Sequence, residues 1–310
     1  MSHPPAVPSL AAALLAASTL ACGGTPERAT DADGRGATPA GAFDSQGHRG
    51  ARGLLPENSI AGAREAVTQG MRTIELDVAV TRDSVLVVSH EPSFNPAICS
   101  LDGTGYDEST SIFALSLSEV QAVDCGTRLH PDFPYQAAAP GPKPTLAALV
   151  AAADAHARDL GRDLPHYNIE IKSDPKLDGA YTPSPEAFAA LVLRAIGDLG
   201  IGDRATVQSF DPRPLAYLSR VAPDLPLGGL VGVALNREGF LEKFNGDVDV
   251  FSPHHLALTA GMIAGYQANG LRVVPWTVND KSRMRTLLSW GVDGIITDYP
   301  DRLREVLEES

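Results

Sequence analysis

Residues 73–80 read Thr-Ile-Glu-Leu-Asp-Val-Ala-Val, a β-branched run that carries two acids two positions apart. Side chains of a strand alternate between its faces, so Glu75 and Asp77 share one face and the apolar residues take the other. Working outward, comparable runs lie at 46–49, 167–171, 205–210, 227–231, 248–252, 272–278 and 294–297. Between them fall segments of helical period at 60–69, 146–156, 185–199, 214–221, 239–244, 260–268, 282–290 and 302–307. Strands separated by helical crossovers predict a parallel sheet. Eight such units across about 265 residues match a closed barrel, which typically takes about 250. A doubly wound open sheet is the alternative. The count of eight favours the barrel, and no Gly-rich dinucleotide loop follows the first strand. The expected class is therefore α/β, a (β/α)8 TIM barrel over residues 43–310.

The second unit carries extra chain. Residues 84–90 form another strand-like run after the turn Thr81-Arg82-Asp83, which predicts a hairpin extension. About 91–142 is then a Pro/Gly-rich insertion that should sit over the strand C-termini, where barrel loops shape the pocket.

The chain has 310 residues, 44% of them hydrophobic and 20% charged, which is globular rather than disordered composition. Its 38 acidic against 25 basic residues leave a net charge of -13, which disfavours a nucleic-acid partner. Ala6 to Ala21 is uncharged and Ala/Leu-rich. It is shorter than the roughly 20 residues of a membrane span and has the length of a secretory apolar region. Residues 1–21 are thus expected to be a signal peptide. Ala21 followed by Cys22-Gly23-Gly24 resembles a bacterial lipoprotein signal, in which Cys22 is lipidated, although Thr19 departs from the usual residue. Residues 23–42 contain no Val, Ile, Leu, Met or aromatic residue, so 22–42 reads as a flexible tether. The expected location is exported, periplasmic or at the cell surface, with membrane contact only through the lipid. Cys99 and Cys125 remain as an even pair. A bridge between them would stabilise by roughly 3 kcal/mol; two separate buried thiols are the other reading.

Inward charges in a barrel are costly unless they have work to do. Glu170 and Lys172 repeat the i, i+2 spacing of Glu75 and Asp77. Three carboxylates converging on one barrel mouth need a cation among them, and oxygen-only ligation selects Mg2+ or Ca2+. Plain ion pairing, Glu170 with Lys172 or Glu75 with Arg72, is the structural alternative. His48 and His90 fall at strand C-termini beside this cluster, and imidazole moves protons in both directions near neutral pH. Arg49 offers a planar fork for an anionic oxygen and Lys172 a point charge. Together these groups describe a site for phosphoryl transfer.

At this point the motifs His48-Arg49-Gly50, Pro56-Glu57-Asn58-Ser59, Glu75-Leu76-Asp77-Val78, Ser89-His90, Glu170-Ile171-Lys172, Gln208-Ser209-Phe210, Trp276-Thr277-Val278-Asn279 and Asp293-Gly294-Ile295-Ile296-Thr297-Asp298 stand in order. The set resembles the glycerophosphodiester phosphodiesterase family. That resemblance implies a (β/α)8 barrel with one divalent cation, Ca2+ or Mg2+, held by Glu75, Asp77 and Glu170. It implies His48 and His90 as general acid and base, and Arg49 and Lys172 as phosphate-binding groups. Ser59 stands where the family usually has Thr, and Glu91 where it commonly has Asp. Glu57 is expected near the phosphate, orienting Arg49. Phe210 and Trp276 either contact glycerol or the alcohol, or are simply buried. Asn58 and Ser59 read as helix caps, and Asp298 as an N-terminal group of the last helix. At least one of His254 and His255 is expected to be structural.

The expected activity is metal-dependent hydrolysis of glycerophosphodiesters to glycerol 3-phosphate and an alcohol. One alternative is a phosphodiester lyase on the same barrel giving cyclic products, although a polar insertion with Asp102, Asp107 and Glu108 suits it poorly. Another is a non-catalytic surface-binding lipoprotein.

Overall fold

The computed structural model describes residues 42–309, apart from 102–103, 106–108, 233–235 and 246–247. The expected signal peptide, the lipidation of Cys22 and nearly all of the tether lie outside the described residues, as do Asp102, Asp107 and Glu108.

β1 (Asp44–Gly47) and β2 (Thr73–Val80) open the fold, and β3 (Leu86–Val88) returns antiparallel against β2. β4 (Ser100–Leu101) and β5 (Thr104–Gly105) make a separate ribbon in the insertion. β6 (His166–Ile171), β7 (Ala205–Ser209), β8 (Leu227–Val231), β9 (Val250–Pro253), β10 (Arg272–Val273) and β11 (Gly294–Thr297) follow. Eight of these are parallel staves in the order β10-β9-β8-β7-β6-β2-β1-β11. Backbone bonds from Asp293 to Val273 (2.9 Å) and from Ile296 to Pro275 (3.0 Å) bridge the remaining gap. The result is a nearly closed barrel.

The helices are α1 (Ile60–Thr68), α2 (Leu117–Val120), α3 (Leu146–Asp159), α4 (Pro185–Asp198), α5 (Pro212–Val221), α6 (Arg237–Phe244), α7 (Ala260–Gln267), α8 (Lys281–Ser289) and α9 (Pro300–Glu308). α2 belongs to the insertion; the other eight each follow a stave. Ser59, Thr145, Ser184 and Asp280 start four of them by accepting a backbone N–H two or three residues into the helix. Each such cap stabilises by about 1 kcal/mol.

The alternation in residues 73–80 explains the layering. Ile74, Leu76 and Val78 point out and are fully buried with Ala66, Leu149, Ile169 and Phe188 between barrel and helices. Burying one such side chain contributes roughly 1.5–3 kcal/mol. Glu75 and Asp77 therefore point in. In the β2–β6 register Glu75 lies opposite Asn168 and Asp77 opposite Glu170.

Beyond shifts of a residue or two at strand ends, the first and seventh staves depart from the sequence expectation. The first stave is Asp44–Gly47, and His48 and Arg49 lie in the turn beyond it. Arg49 takes φ 48°, in the left-handed region that ends an extended strand. The seventh is a strand only over Arg272–Val273, because Pro275 has no N–H to give a ladder. Val274 and Trp276 still donate to Phe251 and Pro253 of β9 at 3.0 Å each.

The insertion packs Phe94, Ile98, Ile112, Val120 and Val123 into a small apolar core with Ala79 of β2 and Val87 of β3. Cys99 and Cys125 are bridged beside it, which removes the reading of two separate thiols.

Candidate active site

The three acids expected to converge do so. Glu75, Asp77 and Glu170 each offer an oxygen within 4.8 Å of the others, and all three are buried. Burial and then the charges of Asp77 and Glu170 push the Glu75 carboxyl well above its ordinary range. Burial likewise raises Glu170, against the pull of Lys172. Burial pulls Asp77 the same way, but Lys172 and Arg49 outweigh it and hold that carboxyl well below its usual value. Three buried oxygen donors, whose negative charge is disfavoured by burial and by one another, suit a hard divalent cation.

Lys172 Nζ lies 2.8 Å from Glu170 Oε1 and 3.1 Å from Asp77 Oδ1. The Glu170–Lys172 ion pair weighed as an alternative is thus part of the same cluster. Arg72 is not: its buried Nε has no hydrogen-bond partner among the described residues. The Arg49 backbone N–H donates to Glu75 Oε2 at 2.9 Å, and its Nε lies 3.4 Å from Asp77 Oδ2. The turn that aims it passes through Gly50 at φ 85°, where a Cβ would stand 2.6 Å from the Gly62 carbonyl carbon of α1. Only glycine fits there.

Glu57 stands against Arg49, as expected of a residue that orients it. It pairs with Arg49 Nη1 at 3.0 Å and Arg52 Nε at 2.5 Å, and it does not line the mouth. Two guanidinium groups flank its carboxylate, so it backs the arginines.

His48 Nδ1 lies 2.6 Å from Asp298 Oδ1, and its Nε2 lies 3.9 Å from Glu75 Oε2. Burial lowers the His48 imidazole below its ordinary value, against the opposing charge of Asp298. His90 Nδ1 lies 2.9 Å from Glu91 Oε1. The Glu91 side chain therefore reaches the ring although Asp is usual at this position. Burial works against the Glu91 charge, but the hydrogen bond and charge of His90, then Lys143, bring it down to about 2. The His90 side chain is 31% exposed and that of His48 13%, so both rings keep an open edge.

A cavity of about 290 Å³ opens among these groups. His48, Arg49, Glu75, His90, Glu170 and Lys172 line one side of it. Phe210 and Trp276 stand on the other, edge to face at 5.4 Å. Neither aromatic is buried away, and Trp276 Nε1 is fixed by the Ser252 carbonyl at 3.0 Å. Asp77 is absent from the lining because Arg49 and Lys172 engage it. A larger cavity, about 380 Å³, lies under the insertion beside Lys143 and holds neither histidine nor the acid trio.

Two residues read as helix termini do other work. Asn58 Nδ2 donates to Asp77 Oδ2 at 2.8 Å and its Oδ1 accepts from the Asp77 backbone at 3.2 Å; Ser59 alone caps α1. Asp298 is not the cap of α9, which starts behind Tyr299 with no side-chain cap. Its carboxylate turns to His48 and accepts from Asn279 Nδ2 at 2.7 Å, stronger partners than a free helix end. Gln208, named only within a motif, donates to Glu75 Oε1 at 3.0 Å. The signal for all three was a polar residue inside a motif already tied to the site. His254 packs edge-on to Trp276 at 5.3 Å, and neither it nor His255 lines the cavity.

The profile of the glycerophosphoryl diester phosphodiesterase family matches residues 48–302. A glycerophosphodiester phosphodiesterase of Caldanaerobacter subterraneus subsp. tengcongensis is 29% identical over 263 residues, 85% of this chain and 97% of that one. Among solved structures, a provisionally named glycerophosphoryl diester phosphodiesterase of Silicibacter pomeroyi is similar at 29% identity and TM-score 0.77, over 86% of this chain and 94% of that one. A phosphodiesterase of Oleispira antarctica, in complex with the product sn-glycerol-3-phosphate, shares the fold at TM-score 0.69 and 22% identity, over 86% and 96%.

Proposed function

The chain belongs to the glycerophosphoryl diester phosphodiesterase family, and from that premise we propose that it hydrolyses glycerophosphodiesters to glycerol 3-phosphate and an alcohol with one divalent cation, Ca2+ or Mg2+, and two histidines. The observation that carries the reading is the meeting of Glu75, Asp77 and Glu170 within 4.8 Å beside a cavity lined by Glu75, Glu170, His48 and His90. Glu75, Asp77 and Glu170 would hold the cation, which when bound polarises the phosphoryl oxygens as a Lewis acid.

The chain's own groups supply the rest. Arg49 and Lys172 share the negative charge of the phosphate. Each histidine has Nδ1 against a carboxylate, Asp298 or Glu91, so Nε2 is the atom that exchanges a proton with substrate. Burial favours the neutral ring of His48, which suits it to accept the proton of the nucleophile at Nε2. The more exposed His90, backed by Glu91, then protonates the leaving alkoxide. Each proton transfer contributes roughly 10²–10⁴-fold. Phe210 and Trp276 form the apolar wall against the glycerol or alcohol group.

Delivery to an oxidising compartment accords with the Cys99–Cys125 bridge. The chain is on this reading exported and held at a membrane by lipid on Cys22, with residues 23–42 as tether. Radiolabelled fatty acid that still incorporates into Cys22→Ala would refute the anchor.

A coupled glycerol 3-phosphate assay, with and without chelator, tests the activity. Wild type should turn over only with cation, and His48→Ala and Glu75→Ala should be inactive. Phosphorus NMR that shows a cyclic phosphate as the end product would instead make the chain a lyase.

A further inference from the structure

A row of polar side chains runs inside the barrel from its lower end up to the acid cluster. Asp44 is the first residue of β1, at the end remote from the mouth, and its Oδ2 accepts from Gln46 Nε2 at 2.9 Å. Gln46 Oε1 accepts from Asn168 Nδ2 at 2.9 Å. The same nitrogen donates to Gln208 Oε1 at 3.0 Å, and Gln208 Nε2 donates to Glu75 Oε1 at 3.0 Å. All five residues are buried.

An amide side chain can present either its oxygen or its NH2 to a neighbour, so a row of amides has two possible polarities. A carboxylate only accepts. Asp44 therefore takes the NH2 of Gln46, which leaves the Gln46 oxygen facing Asn168. Asn168 must then donate to both glutamines, and Gln208, its oxygen engaged, has only NH2 to offer Glu75. The reverse polarity would set the Gln208 oxygen against a Glu75 oxygen, two acceptors in contact. The observed order has a visible cost, since Asn168 Oδ1 is buried with no hydrogen-bond partner among the described residues. Acceptors at both ends, Asp44 and Glu75, turn the two glutamine NH2 groups outward and leave Asn168 to donate twice.

We infer that Asp44 is a positioning residue for the cation site. Acting through Gln46, Asn168 and Gln208, it anchors the far end of the row, which holds the Gln208 NH2 against Glu75 Oε1 and so fixes the rotation of that carboxylate. This rests on reading Glu75, Asp77 and Glu170 as the cation ligands.

Calorimetric titration of Ca2+ and Mg2+ into chelator-stripped protein tests it without recourse to activity. Asp44→Asn, which can present oxygen or NH2 to Gln46, should weaken cation binding about tenfold, the lower bound for partners that orient metal ligands. Gln208→Met should weaken it similarly. Asp44→Asn added to Gln208→Met should then change affinity by less than about twofold, because the path is already cut. General loosening of the barrel would give additive losses. Wild-type affinity in Asp44→Asn, or additive losses in the double variant, overturns the inference. Glu75→Ala separates the two readings: if cation still binds, the ligand assignment fails; if binding is lost there yet intact in Asp44→Asn, only the relay fails. Gln46→Met carries the same test if Asp44→Asn does not fold, since it cuts the row and keeps Asp44 against Thr73 and Arg272.

Discussion

His48 Nδ1 and Asp298 Oδ1 lie 2.6 Å apart although 250 positions separate them in the chain. The contact follows from the pairing of β1 with β11, which sets Gly47 opposite Thr297 and so brings the residues just past both strands together. Asp298 is itself held by Asn279, so the ring is oriented by a supported carboxylate. Asp298→Asn should lower kcat by about 10²–10⁴-fold, the range of a positioned acid or base. Cation affinity in the same variant should not change. An unaltered kcat would show that His48 needs no such support.

Cation binding should be visible as stability. Only the folded chain brings Glu75, Asp77 and Glu170 together, so Ca2+ or Mg2+ at a hundred times Kd should add about 2.7 kcal/mol. Thermal unfolding with cation against chelator measures it, and Asp77→Asn should abolish most of the shift. Equal melting temperatures for wild type in both conditions would contradict the assignment.

Glu91 predicts the behaviour in acid. Its folded-state value is about 2 against an ordinary 4.5, so its folded form prefers the charged state. That contribution is complete above pH 4.5 and is lost as pH falls from 4.5 toward 2. Urea unfolding should show wild type more stable than Glu91→Gln at pH 6, with the gap closing across that window. A gap that widened in acid would have the wrong sign.

The bridge in the insertion gives a further number. Cys99 and Cys125 close a loop with a separation of 26 residues, which on the chain-entropy model stabilises by about 3.5 kcal/mol. Cys99→Ser with Cys125→Ser should lower the urea midpoint accordingly, and reductant should have no further effect on that variant. Equal midpoints for wild type and the variant would show that the bridge contributes nothing.

The fold was legible because eight β-branched runs alternate with eight helical periods, and because 73–80 displays its two faces residue by residue. Glu75, Asp77 and Glu170 were legible from i, i+2 spacing, which predicts a shared face without any knowledge of register. What spacing cannot convey is a partner brought in by barrel closure. Asp298 precedes a helix, so it reads as a cap; nothing local says that β11 lies beside β1. Asn58 has the same ambiguity, and its role appears only when α1 docks beside β2 and Asp77. Glu57 was legible from its motif as a partner of Arg49, but its sharing with Arg52 was not. The short seventh stave was lost to Pro275, a residue whose missing N–H was there to be read.

The link between His48 and Asp298 has a consequence for the timing of synthesis. A growing polypeptide would have made both imidazoles and all three acids well before it added the carboxylate that steadies the first ring. On the proposed roles the half-built protein should therefore be idle toward phosphodiesters, with competence arriving only when the final stave slots in beside the first.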